Sequence, residues 1–207
     1  MNNRFILKLL IGIFTVVFFL ASCTKKEPVP PANELKHFTR TIELAYNETQ
    51  ADPACFIDLD NGTVYNVSEA AAHAGEIDLV YVLRYNIAND PMVVSLGNFD
   101  GADGITAAYW DKQTLGIDQF STYNHTIINQ DNNTATGFVT MESISDFDVW
   151  IENSLDYTTQ DYYWVDGGYI GDIYVFRTQQ NKRGAFKLLD AQNGSNGYAT
   201  VEIKIEP

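Results

Sequence analysis

Histidine, cysteine and methionine are scarce in this chain of 207 residues: there are three His, two Cys and three Met. The cysteines are Cys23 and Cys55. The first belongs to the N-terminal motif described below, so Cys55 has no intrachain partner and is expected as a buried thiol in a strand, behaving as a small hydrophobe. Basic residues are few, 13 Lys and Arg against 27 Asp and Glu, for a formal charge of −14. A chain this acidic lacks the positive surface that tracks a nucleic-acid backbone, so no nucleic-acid partner is expected. Catalytic signatures are absent too. There is no Gly-x-Ser-x-Gly, no His-Glu-x-x-His and no Gly-rich phosphate loop with its Lys, so the chain is not expected to be an enzyme. A carboxylate pair at glycosidase separation is not predicted. Internal repeats and low-complexity tracts are also missing.

What is present starts with an address. Arg4 and Lys8 form a short positive region, and the apolar run Leu9–Leu20 follows. That run is shorter than the ~20 residues of a membrane span and fits the core of a secretory leader. It ends in Leu20-Ala21-Ser22-Cys23, which looks like a bacterial lipobox. In proteins with that motif the Cys sulfur takes a diacylglycerol, the leader is cut just before it, and the new N-terminus is acylated. Acyl chains at ~0.8 kcal/mol per buried methylene then hold the protein on a bilayer without a transmembrane helix. The expected organisation is therefore a leader over 1–22, a lipidated Cys23 with a tether over 23–33, and one domain over 34–207. The tether holds Lys25, Lys26, Glu27, Pro28, Pro30 and Pro31, a polar and extended composition. Removing the leader with Arg4 and Lys8 takes the formal charge from −14 to −16. The location expected is the outer membrane of the cell envelope, with periplasmic and surface faces both open.

The domain reads as mainly β: a single antiparallel β-rich domain with one or two short helices and a C-terminal three-strand meander. The meander comprises Ile173–Thr178, Ala185–Leu189 and Tyr198–Glu206. In its last strand Ala199, Val201, Ile203 and Ile205 alternate with Thr200, Glu202, Lys204 and Glu206, predicting one buried and one wet face. Upstream, Leu35–Leu44 alternates as a first strand. Asn61-Gly62 between the apolar runs Cys55–Leu59 and Thr63–Tyr65 signals a hairpin. Ser68 is expected to cap a short Ala-rich turn that Gly75 ends. Ile77–Tyr85 is apolar on both faces at its centre and predicts a central strand, followed by Met92–Leu96. Phe138–Met141 reads as a short strand, and Ser143–Leu155 as a helix with a Ser cap and an acidic first turn, although Phe147, Val149 and Ile151 also alternate as a strand would.

Four passages together carry a family resemblance: Phe56–Tyr65 (FIDLDNGTVY), the Ala-rich turn, Glu76–Leu83 (EIDLVYVL) and the C-terminal stretch from Tyr174 (YVFRTQQNKRGAFKLLDAQNGSNGYATVEIKI). They resemble the HmuY-like lipoproteins of Bacteroidetes over about half of the mature chain, through structural strands rather than site motifs. The resemblance implies an all-β domain, lipid-anchored on the outer membrane and palmitate-bearing, that binds haem and passes it to an outer-membrane receptor. The family's axial ligands are typically two histidines from loops, and this chain departs from that pattern. His37 lies near the tether, His73 on the Ala-rich turn, and only His125 mid-domain. A His/Met pair is known haem chemistry, so His125 with Met141 is the axial pair expected if haem binds, with Met92 a further Met to weigh.

Two other ligand classes have residues to match. Asp58-x-Asp60-x-Gly62 resembles the start of a calcium loop, and Asn98, Asp100 and Asp103 form a second oxygen cluster. The distal Glu of a full calcium motif is missing, and a hairpin turn and a plain loop account for them, so no metal is expected. Trp110, Trp150, Trp164, Tyr162 and Tyr163 offer flat faces on which sugars stack, although core and sheet positions also use such residues. A glycan-binding or structural envelope protein is accordingly the alternative to haem capture.

Overall fold

The C-terminal strand joins the two ends of the described domain. In the computed structural model, β10 (Tyr198–Ile205) pairs antiparallel with β9 (Arg183–Gln192) on one side and with β1 (Lys36–Glu43) on the other. The structure describes residues 33–45, 52–83, 91–99, 115–130, 135–151, 155, 164–166, 170–193 and 196–207. The leader, Cys23 and the tether to residue 32 lie outside the described residues, as do Trp110, Tyr162 and Tyr163. The domain over 32–207 forms one compact unit.

Among the described residues, two five-stranded antiparallel sheets make the domain mainly β. Continuing from β9, the first sheet adds β8 (Ile173–Arg177) and β6 (Ile127–Gln130), in the order β1-β10-β9-β8-β6. The second is ordered β3-β2-β4-β5-β7, from β2 (Phe56–Asp58), β3 (Thr63–Tyr65), β4 (Leu79–Leu83), β5 (Pro91–Ser95) and β7 (Trp164–Asp166). The expected three-strand meander is β8-β9-β10, and the expected central strand is β4, third of five. The meander follows from short Asn- and Gly-containing connections, which force antiparallel neighbours, and the central place of β4 follows from its two apolar faces.

Alternation places three cores. Ile57, Leu79 and Tyr81 of the second sheet meet Ile42, Tyr174, Phe176, Phe186, Val201 and Ile203 of the first, so the sheets pack face to face. The outer face of the second sheet buries Phe56, Val80, Val82 and Val94 with Leu115, Ile117 and Phe120. Helix α1 (Val67–Ala70) and a 3-10 turn (Ala71–His73) contribute to that core through Ala70 and Ala71. On the outer face of the first sheet, α2 (Ala135–Thr140) and α3 (Ile144–Trp150) pack Phe138 and Phe147 onto Ile173, Val175 and Ala185. Each fully buried Phe contributes about 1.5–3 kcal/mol.

Several local expectations change. Phe138–Met141 is not a strand but the end of α2 and the residue after it. Phe138 and Met141, three apart, share the buried side of a helical turn, while Val139 is exposed. The Ala-rich turn starts at Asn66 rather than Ser68: Asn66 N–H donates to Glu69 Oε2 at 3.5 Å. Ser68 instead donates its N–H (2.9 Å) and hydroxyl (2.7 Å) to the Asp52 carboxylate. Gly75 is not among the residues of positive φ, so no left-handed cap requires a glycine there. The Asn-Gly hairpin closes through four residues, Leu59–Gly62, with Gly62 at φ 62°. Gly62 also lies against Phe38, where a Cβ would come within 2.7 Å of the ring.

Lys204 is the sharpest correction. Alternation puts it on the wet face of β10, yet it is 7% exposed. Helix α2 covers that stretch of sheet, and Lys204 Nζ donates to the carbonyls of Phe138 (2.8 Å) and Met141 (2.7 Å) while lying over the Phe138 ring. A cation here satisfies carbonyls at a helix C-terminus and complements its dipole. Lys204→Met keeps the stem and removes the ammonium. We expect a loss of about 2 kcal/mol in urea unfolding and faster amide exchange in α2; an unchanged midpoint would show that the ammonium contributes nothing.

Candidate functional site

A buried polar network ties the loops at one end of the sandwich. Asp78, just before β4, is 2% exposed. Its Oδ2 accepts the Leu59 N–H (2.9 Å) from the β2–β3 turn, and its Oδ1 accepts the Thr126 hydroxyl (2.9 Å) from the segment entering β6. Thr126 N–H donates to Ser95 Oγ (2.9 Å), and Ser95 donates to the carbonyl of Asn124 (3.3 Å), which also accepts Gly97 N–H. Asn124 Nδ2 donates to the carbonyls of Gly75 and Ile77. Burial pushes the Asp78 carboxyl up to about 7, the bonds from Leu59 and Thr126 opposing that rise and the charges of Asp58 and Asp60 adding to it.

The two neighbouring acids have structural partners. Asp58 Oδ1 accepts the N–H groups of Asp60 (2.7 Å) and Asn61 (3.2 Å), and its Oδ2 accepts Asn61 Nδ2 (2.9 Å), so it holds its own turn. Asp60 pairs through Oδ2 with Lys182 at 2.9 Å, and its carbonyl accepts Lys36 Nζ at 3.0 Å. Burial, then the Lys182 charge, lowers the Lys36 ammonium. The calcium-like spacing is thus a hairpin turn with an ammonium against Asp60. No group of three His, Cys, Asp or Glu side chains converges as a metal site among the described residues. Of the second oxygen cluster, Asp100 and Asp103 lie outside the described residues.

His125 stands beside this network with its side chain exposed. Its N–H donates to Gln179 Oε1 (3.0 Å) on the β8–β9 turn, and its ring packs so closely over Gly97 that a Cβ there would collide with it. Met141 is elsewhere, fully buried among Phe138, Phe147 and Ile151 under the helix layer. The axial pair expected from the resemblance is therefore not assembled: the Met141 sulfur is enclosed by core packing, while His125 faces solvent. Met92 is likewise core. His37 Nε2 meets Glu202 Oε1 at 2.8 Å on the exposed face of the first sheet. His73 stacks on Tyr65 at 4.4 Å, and both bond the Glu76 carboxylate, which Tyr65 first and His73 second hold below its usual range. Cys55 is fully buried, and burial raises its thiol far out of the reactive range. Trp150 ends α3 and Trp164 opens β7.

Sequence reasoning missed Asp78, Ser95, Asn124 and Thr126. The one local signal was an acid, Asp78, wedged between Ile77 and Leu79 at the mouth of a two-sided apolar strand, a place where an Asp needs buried partners.

Comparison with known proteins assigns no family. No protein-family model matches the chain, and no curated protein matches it. Among solved structures, a DUF4466 family protein from Parabacteroides merdae ATCC 43184 is similar, with a TM-score of 0.42 and 14% identity. The match covers 84% of this chain and 53% of that one, so the chain spans about half the length of that structure.

Proposed function

We propose that this protein is a lipoprotein of the bacterial outer membrane, held by acylated Cys23, whose β-sandwich binds a ligand at the loop end carrying His125. One observation carries the reading: the acids at that end lock loops from both sheets onto one base, leaving His125 and Gln179 exposed on it. A preorganised base under exposed loop residues supports a binding role, and carboxylates engaged in holding turns support binding over turnover.

Haem or a related porphyrin, passed on to an outer-membrane receptor, is the ligand this reading places first, with His125 as its axial donor. The test is a haemin titration of residues 33–207 read by absorbance. A saturable Soret band that is lost in His125→Ala is the expected result. A flat response discards haem, and a band unchanged in His125→Ala discards His125.

A glycan-binding or structural role is the second reading, and the outer face of the first sheet favours it. There Thr41 bonds Thr200 at 3.0 Å and Tyr198 bonds Asp190 at 2.8 Å, so hydroxyls lie on the solvent side of the sheet. Binding on a glycan array that is reduced in Tyr198→Ala separates it from the first.

A further inference from the structure

The described domain begins between two helices. Glu34 bridges Ser143, Ile144 N–H donates to the carbonyl of Asn33 (3.2 Å), and Leu35 N–H donates to the carbonyl of Glu142 (3.4 Å). Ser143 lies between α2 and α3, so the chain leaves the domain from the helix layer over the first sheet. Ten residue steps separate Asn33 from Cys23, and at 3.1–3.6 Å per step that chain reaches roughly 30–35 Å at most. An acyl anchor at Cys23 would therefore keep this layer close to the bilayer.

The same layer carries exposed apolar side chains. Val139 on α2 is 67% exposed and Val149 on α3 is 66% exposed, the two highest values among the exposed large hydrophobics of the described residues. The other two, Ile170 and Leu189, lie towards the opposite end of the first sheet. Lys36, beside the exit, pairs with Ile205, whereas Leu189 sits at the bulge beside Thr200, which pairs with Thr41. Five residues along β1 from Lys36 to Thr41 amount to about 17 Å.

An acidic surface is repelled by anionic headgroups; in this layer Glu34 and Glu142 are exposed, while two further carboxylates are engaged within the fold. Asp146 Oδ2 accepts the N–H groups of Glu142 and Ser143 and the Ser143 hydroxyl, and Asp148 pairs with Arg183 at 2.7 Å. In the tether sequence Lys25 and Lys26 outnumber Glu27, so that segment is net positive.

We propose that the helix layer of α2 and α3 is the face this protein turns to its membrane, with Val139 and Val149 resting in the headgroup–acyl boundary of a bilayer. This rests on the lipoprotein reading above. Two valines bind weakly by themselves, at under about 3 kcal/mol each for full burial. Tethering makes the contact intramolecular, so that a weak surface suffices.

The test uses the full acylated chain reconstituted into phosphatidylcholine vesicles. An environment-sensitive fluorophore is placed at Val139→Cys, Val149→Cys or, as control, Leu189→Cys; Cys55 is buried and Cys23 is acylated. Labels at 139 and 149 should shift to the blue and lose roughly half their emission to a spin-labelled lipid, as at a depth of ~5–10 Å, while the label at 189 keeps its aqueous spectrum. Vesicle-bound protein with aqueous spectra at all three positions would overturn the membrane-facing layer and leave the anchor standing. Protein that fails to float with the vesicles would overturn the anchor, and this inference with it.

Discussion

At pH 8, Asp78→Asn should unfold at a higher temperature than the parent protein, and by pH 5 that advantage should be gone. The Asp78 carboxyl is raised to about 7 in the fold against an ordinary value of 3.8, with burial as the main cause. Below about pH 4 both folded and unfolded chains hold the proton, and Asp78 costs nothing. Between about 4 and 7 the folded chain holds a proton that the unfolded chain has lost, so stability falls as pH rises. Above 7 the full cost is present, on the order of 4 kcal/mol for three units. Asparagine imitates the protonated acid. Its oxygen can accept the Leu59 N–H, and its amide can donate to the Thr126 hydroxyl, which turns to accept. Imperfect geometry will return part of the gain, so we expect about 2 kcal/mol at pH 8, or roughly 4–8 °C for a domain of this size. Every other titrating group is common to both proteins and cancels in the difference. Asp78→Ala should instead lose about 2–3 kcal/mol at pH 5, because Leu59 and Thr126 are left unpaired, and that loss should shrink towards pH 8 as the parent takes on the cost of its buried charge. Melting curves of the three proteins from pH 5 to 8 decide it; parallel curves for parent and Asp78→Asn would remove the proposed cost of the buried charge.

The second large effect is at Gly184. It pairs with Phe176 on β8 and with Ile205 on β10, and the Phe176 ring lies across it. A Cβ at this position would overlap the Phe176 ring and stand 2.8 Å from the carbonyl oxygen of Lys204. The ring is fully buried between the sheets, and the carbonyl belongs to a paired strand, so neither yields cheaply. Gly184→Ala should cost about 3 kcal/mol, at the upper end of overpacking, and lower the melting temperature by roughly 6–12 °C. Gly75→Ala is the matched control. Its Cβ would meet only Thr122, at 3.8 Å, so its melting temperature should stay close to the parent's. A Gly184→Ala protein that melted with the control would contradict the packing described for β8 and β9.

Both positions show where reading the chain stops. Gly184 closes the connection expected over Gln179–Gly184 and resembles any turn glycine, yet it is a strand residue with a ring packed across it. Asp78 looks like the polar start of a strand and becomes the buried acid that joins the β2–β3 turn to the segment entering β6. His125 was legible as the one mid-domain histidine, but its distance from an enclosed Met141 was not, because a Met on an apolar run has the same local signature whether it lines a site or fills a core.

The sequence by itself determined what depends on near neighbours. Alternation specified β1, β4 and the β8-β9-β10 meander, and Ser143 with Asp146 specified the start of α3, where Asp146 Oδ2 accepts the Ser143 N–H at 2.9 Å. The lipobox, a four-residue motif, carried the expectation of an anchor. Tertiary structure alone decided what depends on distant partners. The pairing of β1 with β10 brings residues 36 and 205 together, and α2 covers half of an otherwise wet face, which buries Lys204. The four residues of β6, two of them Asn and Gln, become a strand only because β8 offers them an edge. Period and capping are set within a few residues, whereas burial is set by whichever segment arrives from elsewhere in the chain.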